Sequence, residues 1–133
     1  MERRDLSIDT TGHEWIDLTA AVAEFVVGHA DGLVCVFVPH ATAGVALFEI
    51  GAGTEPDVAE LLDRLLPRDD RYVHRHGSPG HGADHVLPVL VAPSITIPVA
   101  KGRLELGMWQ SIVLVDRNHD NPLRTVNLRF LKG

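Results

Sequence analysis

Four of the eight histidines of this chain fall within one short run, His74-Arg75-His76-Gly77-Ser78-Pro79-Gly80-His81-Gly82-Ala83-Asp84-His85. Neutral imidazole is the commonest metal ligand, and it titrates near neutral pH. Glycine and proline let such a backbone fold tightly enough for two or three ring nitrogens to converge on one divalent cation. Asp84 then serves as a further ligand, a general base, or an orienting group behind an imidazole. The spacing matches neither an HExxH helix nor a zinc-finger framework, so a solvated histidine-rich loop is the competing reading.

Other candidates lie outside this run. His40 follows Pro39 at the end of an apolar segment, where a rigid element presents a side chain to a cleft, although a lone strand-end histidine also serves structure. Glu49 closes the apolar stretch Val45-Ala46-Leu47-Phe48. A carboxylate buried there is costly without a cation or donors, which marks it as a candidate acid or base. Gly107-Met108-Trp109-Gln110 sets a flat ring and an amide side by side; Trp109 is a candidate stacking surface, with core packing alone as the alternative, and Gln110 is a candidate polar catalytic group that needs a partner if buried. Lys101 and Arg124 are candidate contacts for a phosphate or carboxylate, with a surface salt bridge as the alternative for Arg124.

The elements that must hold these residues can be read from periodicity. Asp5 to Asp9 alternates polar and apolar residues as a half-buried strand does. Leu18, Val22, Phe25 and Val26 have helical spacing, with Asp17 as a possible N-cap, which predicts a helix at about 17–28. Leu33 to Val38 is apolar at every position and reads as a central strand buried on both faces, with Val45 to Ile50 as its antiparallel neighbour. Cys35 in that run is then a buried, inert thiol. Thr54-Glu55-Pro56-Asp57 resembles a capped helix start, and Val58, Leu61, Leu62, Leu65 and Leu66 continue the helix to about residue 66. Residues 67–84 read as a functional loop. A short helix at 85–91 is weakened by Pro88, and strands follow near 95–97, 112–115 and 125–130. The expectation is one domain over residues 1–133: an α+β fold with a mostly antiparallel, sandwich-like sheet and two main helices.

Composition narrows the function. Twelve Lys and Arg against eighteen Asp and Glu leave a net charge of −6, which argues against a nucleic-acid partner. The chain is 45% hydrophobic and 23% charged, as ordinary globular domains are. No apolar run approaches the roughly 18 residues of a membrane span, and the first residues lack a signal-like apolar segment, so the reading is a cytoplasmic protein without a membrane partner. The single cysteine excludes an intramolecular disulfide.

Taken in order, His40-Ala41-Thr42-Ala43, Glu49, Glu55-Pro56-Asp57-Val58, Tyr72-Val73-His74, Asp84-His85-Val86, Ser94 to Pro98, Lys101-Gly102-Arg103, Gly107-Met108-Trp109-Gln110 and Arg124 resemble the YjbQ family, whose members are often described as secondary thiamine-phosphate synthases. The resemblance implies a homotrimer with a histidine-rich cleft at or near the subunit interface and a divalent metal, commonly zinc. It assigns His40, His74 and His85 as metal ligands, with His81 in reserve. Glu49 corresponds to the acid of the family's Asn-Glu pair and Trp109-Gln110 to its Thr-Trp-Gln. Phe48 stands where the family usually has Asn, and Met108 where it has Thr, so polar groups are missing from the implied site. The functions this supports are a thiamine-phosphate synthase-like transferase, a metal-dependent hydrolase or lyase acting on another small phosphorylated metabolite, or a trimer that binds metal or metabolite without turnover.

Overall fold

The computed structural model of the chain describes residues Met1–Gly133. In chain order the elements are β1 (Glu2–Asp9), β2 (Trp15–Asp17), α1 (Thr19–Val26), β3 (Gly32–Phe37), β4 (Ala43–Phe48), α2 (Thr54–Leu65), α3 (His81–Leu90), β5 (Ser94–Ala100), β6 (Arg103–Leu104), β7 (Ser111–Asp116) and β8 (Leu123–Lys132). They form two antiparallel sheets, one ordered β1-β8-β3-β5-β6 and the other β2-β7-β4. The architecture is the α+β sandwich expected from sequence, with three helices rather than two. No helix is long and apolar enough to cross a membrane.

The layers follow from which apolar faces need cover. Ile112 and Leu114 of β7 point into a core shared with Val34, Val36 and Val38, with Ile97 and Val99, with Val126, Leu128 and Phe130, and with Leu18, Val22, Phe25 and Val26 from α1 and the residue before it. Val113 and Val115, on the opposite face of β7, lie under Leu62 and Leu66 of the α2 region and Ala83 and Leu87 of α3. The strand buried on both faces is therefore β7. In β3 the odd-numbered residues face outward, with Leu33 42% and Phe37 40% exposed and Cys35 only partly covered. The expectations of a doubly buried β3 and an inert Cys35 are corrected accordingly: nothing in the chain covers the outer face of the five-stranded sheet.

Both edges of β3 are taken, by β5 and β8, so β4 cannot pair with it as expected. Instead the Pro39–Thr42 segment carries the chain across to the second sheet, where β4 pairs with β7. The start of α1 follows the expected chemistry, since Asp17 Oδ1 accepts the Thr19 N–H at 2.9 Å. The start of α2 does not. Thr54 is the first helical residue, Gly53 precedes it with φ +94°, and the Glu55 carboxylate turns back to accept the Gly51 N–H at 3.0 Å. Helix α3 begins four residues before the expected position, at His81, and tolerates Pro88 in its last turn.

One polar cluster bridges the two sheets. Arg124 of β8 donates through Nε and Nη2 to Asp116 of β7 at 2.7 and 3.0 Å, with side chains only 2% and 0% exposed. Thr10 Oγ1 donates to Asp116 at 2.8 Å, and Arg124 also donates to Thr42 Oγ1 at 2.8 Å. Beside this pair, His40 Nε2 accepts the Thr125 N–H at 2.8 Å. Burial and the Arg124 guanidinium hold His40 below the ordinary imidazole value of 6.5.

Two expectations follow from this packing. Leu62, 3% exposed, and its neighbour Leu61, 53% exposed, differ only in the face they occupy. Leu62→Ala should cost about 2–4 kcal/mol in urea unfolding, and Leu61→Ala under about 0.5 kcal/mol. Because His40 is lowered in the folded state, the unfolded chain binds more protons just below pH 6.5, and its stabilising contribution is complete above that pH and lost as pH falls through it. The urea midpoint of His40→Gln should thus fall less than that of the wild type between about pH 7.5 and 5.5; equal falls would contradict this.

Candidate metal centre

The early start of α3 decides the site. It places His81 and His85 one turn apart, where residues at i and i+4 share a helix face. The loop before α3 brings the remaining imidazoles to that face. His74 lies with its ring centre 4.3 Å from that of His85 and 5.0 Å from that of His81, and the His81 and His85 centres are 4.5 Å apart. His76 completes the group, 4.1 Å from His74 and 4.7 Å from His81.

Local packing holds this arrangement. Gly82 is buried where a Cβ would come within 2.6 Å of the His74 carbonyl and within 2.5 Å of the Tyr72 Cβ, so only glycine lets the loop lie against the helix. The Tyr72 hydroxyl donates to the Pro67 carbonyl at 2.8 Å. Arg68 pairs with Asp84 and also reaches the Pro79 carbonyl at 3.4 Å, tying both ends of the loop to the first turn of α3.

One ligand atom from each of His74, His81 and His85 lies within 4.8 Å of the others. Four-coordinate zinc with zinc–imidazole bonds of about 2.1 Å sets its ligand nitrogens about 3.4 Å apart, so the imidazoles must draw together to close on an ion, and His74 is the exposed member of the set. Partial desolvation, then the neighbouring rings His76 and His81, hold His74 below its ordinary value. Burial, followed by His74, His81 and His76, does the same for His85. Both rings are therefore neutral at pH 7, with lone pairs available. His81 Nδ1 sits 2.9 Å from Asp120 Oδ2, while its Nε2 is buried with no hydrogen-bond partner. Hydrogen bonds from His81 and Ser78 lower the Asp120 carboxyl to about 2. A buried, unpartnered nitrogen among neutral imidazoles is a donor set that fits a divalent cation.

Beside the histidines lies a cleft of about 290 Å³ lined by His74, His81, Arg68, Arg75, Asp69, Asp70, Ser78, Pro79 and the glycines between them. Arg75 is exposed and forms no ion pair with the carboxylates around it. Ser78 Oγ is a second buried atom without a partner.

The structure brings together some of the residues nominated from sequence and separates others. His74 and His85 converge, and His81, expected only in reserve, is a full member of the group. His40 is not in that group, and its Nε2 lone pair is taken by Thr125. Asp84 is 2% exposed and pairs with Arg68 and Asn118, bracing the first turn of α3. Arg124 is buried in its pair with Asp116 and does not line the cleft. Glu49 lies just beyond β4 on the surface, so the expected buried carboxylate is not found. Lys101 is exposed at a turn with φ +51°, Trp109 is also exposed, and Gln110 Oε1 accepts the Gly107 N–H at 2.8 Å; none of the three lines the cleft. Sequence reading missed Asp120 altogether.

Comparison with known proteins agrees with this architecture. The family described as UPF0047 protein YjbQ-like matches residues 4–133. The chain is 59% identical to the UPF0047 protein Rv2556c of Mycobacterium tuberculosis, over the full length of both. It is 35% identical to a UPF0047 protein of Archaeoglobus fulgidus, over 85% of this chain and 88% of that one. The crystal structure of hypothetical protein APE1520 from Aeropyrum pernix K1 superposes with a TM-score of 0.88 at 33% identity, covering both chains completely. An uncharacterised YjbQ/UPF0047 protein from Clostridium acetobutylicum gives 0.84 at 29% identity, over 96% of this chain and 99% of that one. With a family match that runs almost from end to end and a shared fold, the chain belongs to the UPF0047, YjbQ-like family.

Proposed function

We propose that His74, His81 and His85 hold one divalent cation, zinc by donor chemistry, and that the adjoining cleft receives a small anionic metabolite for metal-dependent hydrolysis or elimination. The observation that carries this reading is the buried, unpartnered Nε2 of His81, a residue that lines a cleft together with Ser78, whose Oγ is also unpartnered. Three protein ligands are the number typical of catalytic rather than structural zinc sites. When bound, the cation supplies Lewis acidity and neutralises negative charge that develops during reaction. The chain's own groups do the rest. Arg75 offers an uncommitted guanidinium for a phosphate or carboxylate. Ser78 Oγ supplies a hydrogen bond at the cleft wall. His76, against His74 and His81, supplies an imidazole that can take up a proton.

Thiamine-phosphate synthesis draws support from family resemblance alone. The groups nominated for its substrates, Lys101, Trp109 and Arg124, lie away from the lining of the cleft. Assembly as a homotrimer is part of the same proposal. Its support is the uncovered outer face of the five-stranded sheet, where Leu33, Phe37 and Leu131 are exposed, together with exposed Met108 and Trp109; apolar area of this kind marks interfaces.

Protein purified without a histidine tag, stripped with chelator and reloaded, should retain one zinc per chain by elemental analysis. His81→Ala and His74→Ala should each weaken binding at least about tenfold, while His40→Ala leaves it unchanged. A wild type without stoichiometric zinc overturns the metal reading. Weakened binding in His40→Ala and His74→Ala, with His81→Ala unchanged, would instead restore the ligand set implied by resemblance. Incubated with a metabolite extract, the zinc-loaded wild type should consume an anionic compound that His81→Ala leaves intact. Sedimentation equilibrium at micromolar concentration should return three chain masses; the mass of a monomer overturns the trimer.

A further inference from the structure

The loop after β7 is built around one buried amide. Asn118 Nδ2 donates to Asp84 Oδ2 at 3.0 Å, and Asp84 immediately precedes His85. The other end of the same amide, Oδ1, accepts the N–H groups of Asp120 at 3.0 Å and Asn121 at 3.3 Å. The Asn118 N–H donates in turn to Asp116 Oδ1 at 3.0 Å. Asn118 thus fixes the position of the loop relative to both α3 and the buried Asp116–Arg124 pair. Asp120 leaves this loop towards the histidines. Its Oδ2 lies 2.9 Å from His81 Nδ1 and accepts the Ser78 N–H at 3.3 Å.

A neutral imidazole carries one proton, on either nitrogen, and an ionised carboxylate only accepts hydrogen bonds. A carboxylate at Nδ1 therefore places the proton there and leaves Nε2 as a bare lone pair. His81 Nε2 is the buried nitrogen that has no partner in the chain. With the other tautomer Nε2 would carry the proton, which must leave before that nitrogen can hold a cation.

We propose that Asp120 is a positioning residue of the histidine site: braced by Asn118, it fixes the proton on His81 Nδ1 and so presents Nε2 as a metal ligand. The proposal rests on the metal reading above for its consequence, but the tautomer is a property of the metal-free protein and tests it independently. Carboxylate partners of this kind orient metal-bound histidines and raise their basicity, and their loss typically weakens metal affinity about 10–100-fold.

The experiment compares the wild type, Asp120→Ala and Asp120→Glu. Asp120 is exposed, so the alanine variant should unfold at the same temperature as the wild type. Long-range 1H–15N correlation spectra of metal-free protein near pH 7.5 read the tautomer directly. His81 should carry its proton on Nδ1 in the wild type and move towards the Nε2–H form in Asp120→Ala. Zinc competition against a chromogenic chelator should show about 10–100-fold weaker binding for Asp120→Ala, with partial recovery in Asp120→Glu. An unchanged His81 tautomer in Asp120→Ala, or an unchanged zinc affinity beside a changed tautomer, overturns the proposal. If the wild type takes up no zinc, the metal reading fails and the tautomer comparison alone decides the role of Asp120.

Discussion

The Asp116–Arg124 ion pair is the constraint on which the rest of the molecule depends. A carboxylate and a guanidinium, both removed from water, persist only if every lone pair and proton is answered. Here Thr10, Thr42, the Asn118 backbone and the bidentate contact itself answer them. The pair joins a strand of one sheet to a strand of the other, so it fixes their separation at one end of the sandwich. Breaking such a buried pair by removing one partner costs about 3–5 kcal/mol. The loop from Arg117 to Pro122 hangs between its two members, and that loop carries Asn118 and Asp120 to the histidine cluster.

The site combines a rigid floor with an adaptable wall. Helix α3 sits on Val113 and Val115 of β7 through Ala83 and Leu87, and its first turn is held by Arg68 and Asn118 through Asp84. His81 and His85 therefore take their positions from the best-buried strand of the fold. His74 and His76 come from an exposed loop, whose glycines permit the close approach but contribute little stiffness. In the metal reading proposed above, two ligands on the helix and one on the exposed loop could close on an ion without distorting the core. A carboxylate behind one of the helix members supplies the orientation that a loop cannot.

Much of this was legible in the chain. The apolar periodicities located α1 and α2 and most strands, and the density of histidines at 74–85 named the site. What failed did so for physical reasons. Leu33–Phe37 and Ile112–Val115 are both unbroken apolar runs, and composition cannot tell a strand covered on both faces from one whose outer face is bare. Pro88 argued against a long α3, although in the last turn it costs only one hydrogen bond. That misreading left His81 in a loop and hid its relation to His85. Arg124 read as an anion clamp because nothing local announces Asp116, eight residues away on another sheet. Asp120 is separated from His81 by 39 residues. The signal that was present is the unbroken polar run Asp116 to Asp120 directly after an apolar strand.

The most direct test is crystallographic. Crystals grown from zinc-loaded protein, with diffraction recorded on both sides of the zinc absorption edge, locate the ion without reference to the coordinates. An anomalous peak within bonding distance of His81 Nε2, shared with His74 and His85 and with Asp120 still on His81 Nδ1, is the predicted result. A peak at His40 that excludes His81, or no peak at the histidine cluster at all, would contradict the account.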